Sequence, residues 1–266
     1  MNKKHSADTS HLCFTAIQAA LKAGELLKTG FNSKYAIHSK PGIHNLVTEY
    51  DLKAEECIIS MIREQFPDHS FLAEESGDSN STSSSITWVI DPLDGTVNFA
   101  HNIPFFSVSI AACTKDETLC GVVYQPMTQE LFIAEKGRGS YLNGARLQVS
   151  ETREIEKSIL ATGFPYNLQE NPLKCIDVFS SVALIGMPIR RLGSAALDIS
   201  YVAAGRFDGF WEVVLHPWDL AAAKLILEEA GGKLTHYDGK KHPIFTSGTV
   251  LATNSLIHEK MVSLLS

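Results

Sequence analysis

Residues 91 to 96 read Asp-Pro-Leu-Asp-Gly-Thr. Asp91 and Asp94 lie three residues apart on a turn that Pro92 stiffens and Gly95 leaves free to tighten. Thr96 adds a hydroxyl where a helix is expected to begin. Two carboxylates on a rigid turn, beside free backbone N–H groups, suit hard cations bridged to a phosphate. Mg²⁺ uses one or two carboxylates and shares its remaining positions with water and phosphate, and a helix N-terminus favours the anion. The same six residues could also be a plain Asp/Gly turn between strands, so the reading needs further acids.

Three more acids stand at element boundaries: Asp51, Glu74 and Asp219. Each has an ordinary explanation. Asp51 and Asp219 begin helices, where a negative side chain complements the dipole. Glu74 ends a strand, where an acid is readily solvated. Together they are what a carboxylate-only metal site requires. No G-x-S-x-G occurs, and no Ser/His/Asp set has a recognisable context. His216, the one histidine beside a motif, reads as structural. Asp94-Gly95-Thr96 superficially resembles the D-x-D-G-T of phosphatases that form an aspartyl-phosphate. There the nucleophile lies two residues before the second Asp, and here that position is Pro92. Water is therefore the expected nucleophile.

These acids must be held by elements that the pattern already outlines. Ser10 or Asp8 could cap a first helix running to about Lys28, and Thr48 a second. In the second helix Ala54, Cys57, Ile58, Met61 and Ile62 recur on one face. Tyr35 to Asn45 reads as a loop, Phe71 to Ala73 as a strand ending at Glu74, and Asp78 to Ser85 as a Ser-rich surface loop. Trp88 to Ile90 is the apolar tail of a strand leading to Asp91. Phe106 to Tyr141 alternates like paired strands, and Asn143-Gly144 is a hairpin turn. The first half thus reads as two helices over an antiparallel sheet. The second half alternates: strands near Ile159–Ala161, Arg190–Leu192, Phe207–Val213 and Val250–Thr253, and helices near Lys174–Ala183, after Ser194 as N-cap, from Trp218 to Ala230, and after Ser255. The halves meet near residue 150 without a linker.

Composition excludes several classes. With 266 residues, 44% of them hydrophobic, the chain can bury a large core. Its net charge of -7, without a Lys/Arg cluster, gives no nucleic-acid signature. The five cysteines, Cys13, Cys57, Cys113, Cys120 and Cys175, contain no C-x-x-C, so a reducing compartment is expected. The first apolar stretch is amphipathic, and no run approaches a membrane span. A soluble, cytoplasmic protein is expected.

The motifs taken together resemble the inositol monophosphatase family over most of the chain. Asp91-Pro-Leu-Asp94-Gly95-Thr96 matches one signature, and Trp218-Asp219-Leu-Ala-Ala-Ala with Glu229-Ala-Gly-Gly matches a second. Leu46-Val47-Thr48 before Asp51, and Phe71-Leu-Ala-Glu74-Glu75-Ser76, match two more. The resemblance implies an α+β fold, a layered αβαβα sandwich of the sugar-phosphatase type with two sheets and helices between and outside them. It implies one domain over 1–266, with a metal-binding half at about 1–150 and a substrate half at 151–266. It also implies a homodimer, for which Phe105, Phe106 and Tyr124 are candidate interface residues.

The implied activity is Mg²⁺-dependent hydrolysis of inositol monophosphate to inositol and phosphate by metal-activated water, with two to three ions per subunit and sensitivity to Li⁺. Glu74, Asp91 and the Leu93 carbonyl would hold one ion, Asp91, Asp94 and Asp219 a second, and a looser third would sit near Glu74. Thr96, helped by Glu74 and Asp51, would orient the water. Gly95 and Thr96 N–H groups would hold the phosphate, and Lys40 matches a family lysine near the site. Gly193, Ser194, Ala195 and Glu212 would face the polyol, with Asp94 and Asp219 also at the substrate. Related phosphatases of fructose 1,6-bisphosphate, nucleoside 3′,5′-bisphosphates or NADP share these motifs. A non-catalytic interaction protein keeping the fold is the alternative from another class.

Overall fold

The computed structural model describes residues 8–39, 46–79 and 84–266. Lys40 and the tip of the Ser-rich loop lie outside the described residues. Helix α1 (Thr9–Gly30) is capped by Asp8, whose carboxylate accepts from the Ser10 amide, and buries a stripe of Leu12, Ala16, Ala19, Ala20, Ala23 and Leu27. Strands β1 (Ile37–Ser39) and β2 (Leu46–Thr48) form an antiparallel ribbon. They lead into α2 (Glu49–Gln65), where Thr48 and Asp51 make a reciprocal capping box.

Eight strands follow as one sheet: β3 (Ser70–Ala73), β4 (Gly77–Ser79), β5 (Thr87–Asp94), β6 (Ser107–Cys113), β7 (Thr118–Gln125), β8 (Glu130–Glu135), β9 (Gly139–Leu142) and β10 (Ala145–Arg146). The short α3 (Thr96–Ala100) interrupts them after β5. The sheet is not wholly antiparallel, as the sequence pattern suggests, because β3 runs parallel to β5. That pairing puts both strands' carboxyl ends side by side: Ala73 sits opposite Ile90, and the Glu74 amide donates to the Ile90 carbonyl at 3.1 Å. Periodicity reveals which residues are in strands but not which strands pair. Asn143 and Gly144 both take positive φ in the hairpin turn, as expected of Asn-Gly.

The second sheet has the order β12-β11-β13-β15-β14, from β11 (Leu160–Thr162), β12 (Ile189–Arg190), β13 (Gly209–Leu215), β14 (Lys233–Thr235) and β15 (Gly248–Thr253). Between these strands run α4 (Cys175–Ala183), α5 (Ala195–Ala203) and α6 (Pro217–Glu229), and α7 (His258–Leu265) closes the chain. Sequence analysis misses β14, a three-residue strand just after Gly231-Gly232. Ser255 does not cap the last helix. It sits at φ 70 two residues before Ile257, the true N-cap, and Asn254 accepts the next two amides instead.

The elements stack as five layers. Helices α1 and α2 cover the outer face of the large sheet, α5 and α6 fill the space between the sheets, and α4 and α7 cover the outer face of the second. Alternation along β6 feeds two cores: Val108, Ile110 and Ala112 face α1 and α2, and Ala111 and Cys113 face α5 and α6. This is the αβαβα arrangement expected. Phe106 and Tyr124 are core residues of the α1/α2 layer, 0% and 5% exposed, so neither offers an interface. Phe105 is partly buried against the central core. No helix among the described residues is long and apolar enough to cross a membrane.

The first sheet and α6 come close together at Gly121 of β7. A Cβ there would meet the Ala222 carbonyl oxygen at 2.7 Å and its Cα at 2.8 Å. A methyl group would lift α6, which carries Asp219, from the sheet. Overpacking of this kind costs about 1–3 kcal/mol. Gly121→Ala should therefore lower Tm by several degrees and weaken any ion binding that needs Asp219, as thermal unfolding with and without Mg²⁺ will reveal.

Candidate active site

All of the expected acids among the described residues converge at one cleft. Its cavity, of about 830 Å³, is lined by Glu74, Asp91, Leu93, Asp94, Gly95 and Thr96 from the first half, and by Gly193, Ser194, Ala195, Glu212 and Asp219 from the second. Asp51 lies behind Thr96, within hydrogen-bond reach of it.

Each carboxylate is aimed by a local bond. In Asp91 the Oδ1 atom accepts from the Leu93 amide at 3.0 Å, folding the Asp-Pro-Leu turn back on itself. Asp94 is held across the halves: its Oδ2 accepts from the Ser194 hydroxyl at 2.6 Å and the Ala196 amide at 2.8 Å, and its Oδ1 from the Ala195 amide at 3.3 Å. Ser194 is the N-terminal flank of α5, yet its side chain makes no cap for that helix. Asp94 supplies the negative charge there instead. The Ser194 hydroxyl gives its proton to Asp94, which leaves only its lone pairs for a ligand, a narrower role than the sequence expectation. Asp219 accepts from the His216 amide at 2.6 Å as the third residue of α6. His216 also lines the cleft; its ring stacks on Trp218 and meets the Ser247 hydroxyl at 2.9 Å.

One oxygen from each of Asp91, Asp94 and Asp219 lies within 4.8 Å of the others. Burial raises Asp91 well above the ordinary carboxylate range, and the Glu74, Asp94 and Asp219 charges add to it. Burial likewise lifts Asp219, with Asp94 next. Asp94 is pushed up only to about 6, because burial is opposed by its Ser194 and Ala196 bonds. Among the described residues none of the three has an ion pair. Clustered oxygen-only donors, two of them buried and the third partly so, without an ion-pair partner, fit a hard divalent ion.

Thr96 stands next to this cluster. Its hydroxyl lies 3.0 Å from both Asp51 Oδ1 and the Leu93 carbonyl. The Asp51 Oδ2 accepts from the Thr48 amide and hydroxyl at 2.7 and 2.6 Å. Burial pushes Asp51 up to about 6 against these bonds. Gly95 takes φ +98, and a Cβ would meet the Gly193 and Phe105 carbonyls at 3.1 Å. Asn98 ties the same loops, its Nδ2 donating to the Phe105 and Leu192 carbonyls.

Sequence analysis misses Glu55. One turn along α2 from Asp51, it accepts the Glu75 amide on one oxygen and the Ser76 amide on the other, both at 2.9 Å. It fixes the turn that follows Glu74. The available signal is a carboxylate four residues from Asp51 on the packed side of an amphipathic helix. Also missed is Gly163, where a Cβ would lie 1.9 Å from Glu212 Oε2. The Glu212 side chain lies over that bare backbone, and burial pushes it up to about 8.

A model of the inositol monophosphatase family matches residues 8–266. The chain belongs to the inositol monophosphatase family. Among its relatives is the Nus factor SuhB of Escherichia coli K12, 43% identical over 249 residues that cover 93% of each chain. The inositol-1-monophosphatase of Synechocystis is 42% identical over 92% of this chain and 85% of its own length. The crystal structure of the extragenic suppressor protein suhB from Bartonella henselae superposes with a TM-score of 0.91 at 39% identity, covering 96% of this chain and 98% of that one. This inositol monophosphatase family member therefore has the layered fold of its solved relatives, with an acidic cluster in its cleft.

Crowding of the acids has a measurable cost. The folded chain binds the Asp91 proton more tightly than the unfolded chain does, so without metal the fold loses stability as pH rises from about 4 toward the raised value. Asp91→Asn keeps the oxygen that accepts from Leu93 and removes one charge. In EDTA its Tm should exceed that of the wild type, by a margin that grows as pH rises above the ordinary carboxylate range. Adding Mg²⁺ should reverse the order. A variant less stable than wild type throughout in EDTA would contradict this account.

Proposed function

We propose that the chain is a Mg²⁺-dependent phosphatase of polyol phosphates, with an inositol monophosphate as its substrate. The observation that carries this reading is the meeting, in one cavity, of an oxygen-only acidic cluster, a Thr96 hydroxyl backed by Asp51, and Glu212 on the far element. Asp91, Asp94 and Asp219 would hold one ion, and Glu74, Asp91 and the Leu93 carbonyl another, with a looser third near Glu74. Bound there, Mg²⁺ would acidify water and stabilise the charge of the phosphate and its leaving oxygen.

The chain's own residues supply the rest. Thr96 donates its proton to Asp51, so its oxygen can accept from a water. Glu74 can accept the second proton. A water held by both is left with a lone pair directed at phosphorus. The Gly95 and Thr96 amides, at the start of α3 on the cleft wall, would donate to the phosphate. No side chain need become phosphorylated, so one displacement should invert the phosphorus centre. Asp94 joins the first half to the second through Ser194, which supports treating 1–266 as one functional domain.

Fructose 1,6-bisphosphate, nucleoside 3′,5′-bisphosphates and NADP remain competing substrates within the same chemistry. Chain length leaves little room for the insertions of the bisphosphate nucleotidases, and Glu212, partly buried in the cleft, suits a hydroxyl-rich alcohol. A second role is favoured by one finding: several relatives are named Nus factors.

Two measurements test the reading. Phosphate release from inositol 1-phosphate should require Mg²⁺ and stop in EDTA. Glu212→Gln should lose kcat/KM on inositol phosphate by about ten- to a hundredfold, the value of a hydrogen bond to a charged group, and far less on an aryl phosphate. Equal losses on both would place Glu212 with the metal ligands.

A further inference from the structure

One buried acid in the cleft is unexplained by the metal cluster. Asp198, in the first turn of α5, is 1% exposed and lines the cavity. Its Oδ1 is buried without a hydrogen-bond partner, so a ligand in the cleft would meet it after a small turn of the carboxyl. Among the described residues its carboxyl has no ion pair. A buried polar group left unpaired destabilises the fold, so such a group calls for a reason.

The ordinary reason is absent. An acid in a helix's first turn complements the dipole, but Asp94 already occupies that place at α5 through the Ala195 and Ala196 amides. The charged groups nearest in influence are Asp94, Glu212 and Arg191. Arg191 and Glu212 line the same cavity. Asp198 and Glu212 therefore enter one pocket from two elements, α5 and β13, on the second-half side of the metal cluster.

We propose that Asp198 is a specificity-determining residue, whose carboxyl hydrogen-bonds a hydroxyl of the alcohol half of the substrate alongside Glu212. The inference rests on the phosphatase reading above and deepens it, since two acids on the alcohol side select for a polyhydroxylated group. Burial raises Asp198 well above the ordinary carboxylate range, with Asp94 and Glu212 adding to the rise. A carboxyl that resists ionisation keeps an O–H to donate, and no acceptor for it lies within hydrogen-bond reach in the protein. A substrate hydroxyl oxygen provides one. A neutral carboxyl also sits beside a phosphate ester without the repulsion of another anion.

The test compares Asp198→Ala and Asp198→Asn with wild type, in Mg²⁺, on inositol 1-phosphate, a panel of sugar phosphates and an aryl phosphate. The contact is made to the alcohol before and during reaction, so its loss belongs in KM. Asp198→Ala should raise KM for the polyol phosphates about tenfold, leave kcat nearly unchanged, and leave the aryl phosphate within about twofold. Asp198→Asn, which keeps a neutral donor, should retain most of the affinity. Neither variant should lower Tm in EDTA, because an unpartnered buried carboxyl is removed. Equal losses on polyol and aryl substrates, a lowered Tm for both variants, or no loss in Asp198→Ala would overturn the assignment while leaving the phosphatase reading intact. A wild type that hydrolyses no member of the panel would overturn that reading and this assignment with it.

Discussion

Asp94 is the constraint on which the site depends. It ends a strand of the first sheet, yet its carboxylate takes the place of a cap for a helix of the second half. The Ser194 hydroxyl and two α5 amides converge on it. Those bonds hold down a charge that burial and its neighbours would otherwise extinguish. They also fix α5 against the turn that carries Asp91 and Thr96. Gly95, with its positive φ and no room for a side chain, is the residue that lets this turn come so close to the Gly193 loop.

The other acids are delivered by equally local means. The parallel pairing of β3 with β5 brings Glu74 beside Asp91. A capping box at the start of α2 turns Asp51 toward Thr96, and a second, at the start of α6, turns Asp219 into the cleft. The acids repel one another, and Asp51, Asp91, Asp94 and Asp219 are each bound to backbone amides or hydroxyls that oppose the repulsion without neutralising it. A structure arranged this way is stiff and prepared for a cation, which is what electrostatic preorganisation requires.

Much of this is legible in the sequence because the chemistry sits at element boundaries. A strand that ends in Asp-Pro-Leu-Asp-Gly-Thr, and a helix that begins Pro-Trp-Asp, declare both the element and the acid it presents. The helices α1, α2, α4 and α6 and the Asn-Gly hairpin follow from periodicity and turn chemistry. The rest is hidden for physical reasons. Parallel pairing of β3 with β5 is a matter of topology that local pattern does not encode. Ser194 looks like a helix cap because its type and position are right, but a residue 100 positions away outcompetes it. Glu55 and Asp198 look like ordinary helix acids, since sequence does not say which face of a helix is buried beside which loop. Phe106 and Tyr124 show the same limit from the apolar side, because a large ring suits a core and an interface equally well.

The reach of Asp94 between halves has a consequence for cohesion. Any ion held by Asp91, Asp94 and Asp219 is gripped simultaneously by the first sheet and by α6 of the second half. Ligand binding to the native state adds free energy that grows with the logarithm of its concentration. Part of that energy must appear as adhesion between the two halves, because neither can leave without taking ligands from the ion. Cation supply and mechanical integrity are then one variable. Removing such an ion would take away that part of the adhesion and leave the seam to the apolar core that joins α5 and α6 to the first sheet.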